Sequence, residues 1–107
     1  MTPVFTAALL VGLLPGVVFA GQLCVSNGTE TALLFTAENH DGDRVRATLA
    51  PNEQLCVNDG ARAGGTIAAF ENETRLEGCS RLVGPAGHDT LITYAAFDRC
   101  RWQSHGD

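Results

Sequence analysis

LCVSN at residues 23–27 and LCVND at residues 55–59 are near-copies, each a Leu-Cys-Val triplet that runs into a polar, turn-prone pair. On an extended chain the cysteine of each triplet points away from the face that carries its Leu and Val neighbours. Two such segments lying side by side bury Leu23, Val25, Leu55 and Val57 together and bring Cys24 and Cys56 face to face on the opposite side. The echo therefore predicts equivalent positions on two paired strands, stapled by a disulfide. A repeat is the competing reading. Past the triplet the match fades, TAEN at 36–39 and AFEN at 69–72 falling at a different offset, so no repeat unit is found.

Four cysteines, Cys24, Cys56, Cys79 and Cys100, allow three connectivities, and the twin triplets favour Cys24–Cys56 with Cys79–Cys100. Their spacings of 32, 23 and 21 residues contain no CxxC or CxxCH, so neither a zinc site, a haem attachment nor a thioredoxin-like motif is indicated. Neither a metal nor a cofactor is expected. Each bridge is expected to contribute ~3.5 kcal/mol in the chain-entropy model, which is a large share of the ~5–10 kcal/mol that stabilises a small domain.

Residues 1–20, MTPVFTAALLVGLLPGVVFA, carry no charged side chain and end in the small-residue pattern Val18, Phe19, Ala20. This reads as a secretory signal peptide whose apolar stretch falls short of the ~20 residues a membrane span requires. Gly21, Gln22 and Leu23 do not form a lipoprotein box before Cys24, so that cysteine is assigned to a disulfide and no membrane anchor is expected after cleavage. Residues 21–107 remain as a single small β domain, of a size that usually needs covalent staples. An even cysteine count fits an oxidising compartment, secreted or periplasmic. All seven basic residues are arginine, a composition that points to a GC-rich bacterial genome. In a eukaryotic secretory route Asn27-Gly28-Thr29 and Asn72-Glu73-Thr74 would be glycosylation acceptors; in a bacterium they read as turns. The formal charge of −5 disfavours nucleic acid and anionic membrane surfaces as partners.

Short apolar or β-branched runs alternate with turn clusters about every ten residues, the pattern of an all-β sandwich or barrel. The expected fold is a small disulfide-stapled antiparallel β-sandwich, Ig-like or jelly-roll-like, of about seven to eight short strands. Strands are predicted at 22–26, 32–38, 44–49, 54–57, 66–71, 79–83, 90–95 and 98–102. Along 44–49, Val45, Ala47 and Leu49 share one face and Arg44, Arg46 and Thr48 the other. LLF at 33–35 and TIAAF at 66–70 are continuous enough for central strands covered on both faces.

YAAFDRCRW, residues 94–102, concentrates aromatic and arginine side chains around Cys100. It makes Arg99, Arg101 and Trp102 the candidate partner-binding residues, with Arg44 and Arg46 as a conceivable extension of the strip; the bland reading packs Trp102 on the disulfide. Asn39, Asp41 and Asp43 faintly resemble a calcium loop but lack its glycine position and closing glutamate, and a type I′ hairpin at Asp41-Gly42 is the better reading. His40, His88 and His105 are scattered surface histidines. Ser104, His105 and Asp107 supply triad residue types, but neighbours at a chain end cannot hold nucleophile, base and orienter in place, so no catalytic residue is assigned. The function expected is a non-catalytic binding or accessory module meeting a protein or small ligand, with a structural cell-envelope component, or less so a small hydrolase, as alternatives.

Overall fold

The computed structural model describes residues 21–106; the expected signal peptide at 1–20 lies outside the described residues. Eight strands follow in order: β1 Gln22–Asn27, β2 Leu33–Asn39, β3 Arg44–Leu49, β4 Gln54–Asn58, β5 Gly65–Phe70, β6 Cys79–Val83, β7 His88–Thr93 and β8 Arg101–Trp102. A short 3-10 turn, Gln103–His105, closes the described chain. The strands form two four-stranded sheets, ordered β4-β1-β7-β8 and β3-β2-β5-β6.

The twin triplets lie where their pattern puts them. β1 and β4 pair antiparallel with Leu23 opposite Val57, Cys24 opposite Cys56 and Val25 opposite Leu55. Leu23, Val25 and Val57 are buried in the core, and Leu55 packs against it. Cys24 and Cys56 are bonded on the outer face, their Cα atoms 4.1 Å apart. The second bridge, Cys79–Cys100, is buried and ties β6 of one sheet to the residue before β8 of the other. Between the sheets Phe35, Ile67, Leu91 and Trp102 fill the centre.

LLF and TIAAF fall on β2 and β5, the two central strands of their sheet, and both faces are covered as their apolar runs require. Leu34, Thr36 and Ala68 point outward yet are buried. Part of the cover comes from the segment after β5: Glu73 pairs with Arg46 across 3.5 Å, and Leu76 lines a hollow with Leu34, Thr36 and Phe70. β3 keeps the alternation read from its sequence, Leu49 buried and Arg44, Arg46 and Thr48 exposed.

Three local expectations change. β1 and β7 run parallel, the one such pairing among the described strands, with Cys24 opposite His88 and Asn27 opposite Leu91. The strand expected at 98–102 shrinks to Arg101–Trp102, because Phe97 and Asp98 both take left-handed backbone, φ 62° and 60°, and turn the chain. At Asp41-Gly42 only Gly42 has positive φ, which excludes type I′; Gly42 N–H donates to Asn39 O, and the Asn39 Oδ1 accepts from the N–H of Asp41 and of Asp43.

The two Asn-x-Thr segments are the same device. Thr29 N–H and Oγ1 both donate to Asn27 Oδ1, and Thr74 N–H and Oγ1 both donate to Asn72 Oδ1. Asn27 goes further: it is fully buried, and its Nδ2 donates to the carbonyls of Thr31 and Leu49, tying β1 to the end of β3 in the other sheet. A glycan on Asn27 is incompatible with this fold, since the nitrogen it would modify is enclosed and twice engaged.

Candidate functional site

Cys24, Cys56, Cys79 and Cys100 are all in disulfides, with no free thiol among the described residues. That pattern fits an oxidising compartment. Among the described residues no group of His, Cys, Asp and Glu is arranged to hold a metal ion, and no helix is long and apolar enough to cross a membrane. In the 39–43 loop the calcium-like residues serve the hairpin instead: Asn39 Nδ2 donates to Asp43 Oδ2 and Asn58 O, while Asp41 Oδ2 accepts from the Ala61 N–H.

Arg99, Arg101 and Trp102 do not form one surface. Trp102 is 2% exposed and packs in the core with Cys79 and Cys100, so its ring is withdrawn from any partner. Arg99 is exposed and donates its Nε–H to Ala96 O, closing the 96–99 turn; Arg101 is exposed on β8 at the sheet edge. Arg44 and Arg46 cannot extend the strip. They lie on β3, separated from β6 and its bridge to β8 by β2 and β5.

Of the residues that spell a triad, Asp107 lies outside the described residues, and Ser104 and His105 are engaged otherwise. Ser104 Oγ donates to Asp89 Oδ2 and accepts from Arg81 Nη2, while Ser104 N–H and Thr90 N–H both donate to Asp89 Oδ1. Arg81 Nε stands 3.8 Å from the buried Asp89 carboxylate, so this cluster spans β6 and β7 and pins the sheets together beside the inner disulfide. His105 accepts the Trp102 N–H at Nδ1. The histidine that does meet a serine is His88, whose Nε2 is 2.8 Å from Ser26 Oγ on the open face of the first sheet. No carboxylate among the described residues engages its other nitrogen, so the pair lacks an orienter.

The parallel pairing creates a feature that the sequence reading missed. Parallel strands end at the same edge, so the loop after β1 and the segment after β7 meet. Gly28 N–H donates to Leu91 O, and a side chain at Gly28 would lie 2.7 Å from that oxygen; the glycine is required by close approach. Beside this junction lies a groove of about 700 Å³ whose wall includes Glu30, Thr31, Glu71, Ile92, Thr93 and Tyr94. Its lining contains two carboxylates and no basic side chain. Tyr94 forms a flank held by its hydroxyl, which donates to Glu77 O. Only the Asn27-Gly28-Thr29 turn hinted at this place, and it reads equally well as an ordinary reversal.

No family model, curated protein or solved structure matches the chain. Fold and site therefore define its class: a doubly stapled β-sandwich with a groove that carries two carboxylates at one end.

Proposed function

We propose that the protein is a small exported, non-catalytic binding or accessory module, working in a bacterial periplasm or outside the cell, and that it meets its partner at the end groove. The groove carries this reading. It is of the size of a binding cleft, lies where loops converge at the end of a rigid sandwich, and joins Glu30 and Glu71 to an aromatic flank. Such a wall suits a cationic group, an ammonium or guanidinium presented by a partner protein, since carboxylates attract it and a tyrosine ring accommodates its face. The overall charge of −5 steers the same partners. An all-arginine basic complement and the apolar first twenty residues support the address.

The test is capture of a periplasmic partner by the oxidised protein, repeated with Glu30→Arg/Glu71→Arg. Stoichiometric binding that the double variant loses supports the reading. Binding that survives the charge reversal contradicts the groove, and turnover of a small substrate abolished by one surface substitution would replace the module with an enzyme.

A further inference from the structure

The two disulfides differ in who can reach them. Cys79 and Cys100 are 2% and 8% exposed, enclosed by core side chains. Cys24 and Cys56 are only half-buried, on the outer face of the first sheet, where their neighbours along the strands are Gln22, Ser26, Gln54 and Asn58.

Attack on a disulfide is in line: the incoming thiolate approaches one sulfur from the side opposite the other. The sheet order gives the two sulfurs unlike approaches. β4 is an edge strand, so Cys56 stands at the sheet margin, whereas Cys24 stands between Cys56 and β7. There His88 stands opposite Cys24 on the same face, its imidazole turned to Ser26 Oγ, 2.8 Å away. His88 and Ser26 thus flank the Cys24 side of the bridge, while the Cys56 side faces the margin of the sheet.

We propose that Cys24–Cys56 is a thiol-exchange site, accepting a thiolate at Cys56. The attacking sulfur bonds to Cys56 Sγ, the bridge breaks, and the electron pair leaves on Cys24 Sγ, which takes a proton from water. The product is a mixed disulfide at Cys56 and a free thiol at Cys24; attack by Cys24 reverses the step and expels the incoming thiol. No separate oxidant is consumed. The domain survives the opening because β1 and β4 remain joined through five residue pairs, Leu23 and Val57 stay in the core, and the inner bridge is out of reach. The site lies on the outer face of the sheet and does not depend on the end groove.

The decisive experiment treats the purified oxidised protein with limiting reduced glutathione under native conditions, quenches with an alkylating agent and maps the peptides. Glutathione on Cys56 with alkylated Cys24, and an intact Cys79–Cys100 link, is the expected result. Adduct on Cys24, opening of the inner bridge at an equal rate, or no adduct short of denaturation would each overturn the proposal. A protein thiol in place of glutathione should give the same attachment at Cys56, and attachment elsewhere counts against the open-edge argument.

Discussion

Cys79–Cys100 lies inside the sandwich and joins its two sheets, whereas Cys24–Cys56 lies on an outer face and joins strands that a backbone ladder already holds. By loop closure alone the pair is nearly equal, since their separations of 21 and 32 residues change the chain-entropy contribution by only ~0.4 kcal/mol. Burial separates them. The inner sulfurs pack against Trp102, and Arg81, Asp89 and Ser104 form a polar clamp across the same margin of the sandwich. Covalent and non-covalent fastening between the sheets coincide there, whereas the surface bridge joins two strands of one sheet. A disulfide's place in the layers, more than its loop length, sets what its loss does to this protein.

The comparison can be broken most forcefully by removing each bridge in turn. Cys79→Ala/Cys100→Ala should lose ~5 kcal/mol, the loop-closure share plus the packing of two buried sulfurs, and come close to unfolding. Cys24→Ala/Cys56→Ala should lose ~2–3.5 kcal/mol and keep a cooperative urea transition. Equal losses, or the reverse order, would refute the ranking. Trp102→Ala probes the packing beside the inner bridge and should cost ~3–5 kcal/mol, while Arg99→Ala, on its exposed turn, should stay within ~0.5 kcal/mol in the same titration. Asn27→Ala tests the opposite margin. It strips hydrogen bonds from Leu49 O, Thr31 O and Thr29 N–H and should cost ~2–3 kcal/mol in chemical denaturation. The smallest effect is expected at Ala86, which holds φ 52° at the third position of the Gly84–Gly87 turn, behind Pro85. Ala86→Gly relieves that conformation and should be neutral to stabilising by ~0.5 kcal/mol, read as a small rise in melting temperature.

The pairing of β1 with β4, the central places of β2 and β5, and the disulfide connectivity were legible because each rests on a pattern of period two or on an apolar run. What escaped rests on contacts distant in the chain. Nothing local to Val25 or Asp89 announces that they lie opposite each other on parallel strands, so the groove and the meeting of Ser26 with His88 had no signature. Asp98 reads as the start of a strand, yet it and Phe97 take left-handed backbone, rare for an aromatic residue, and the hydrogen bonds that hold them there come from Glu77 and Gly78, distant in the chain. Buried Asn27, Asn39, Asp59 and Asp89 are turn-forming residue types, and only the structure separates those that brace the interior from those that merely reverse the chain. Asp59 illustrates this: its carboxylate accepts from the N–H groups of Gly64 and Ala86, fastening two loops the sequence treats as unrelated.

A peptide map of the non-reduced protein bears most directly on the whole account, because the register of the twin triplets, the layer order and the ranking of the bridges all descend from which cysteines are joined. Peptides bearing Cys24 and Cys56 should travel together, and those bearing Cys79 and Cys100 likewise. A Cys24 peptide linked to Cys79 or Cys100, or any free thiol in the protein as isolated, would contradict it.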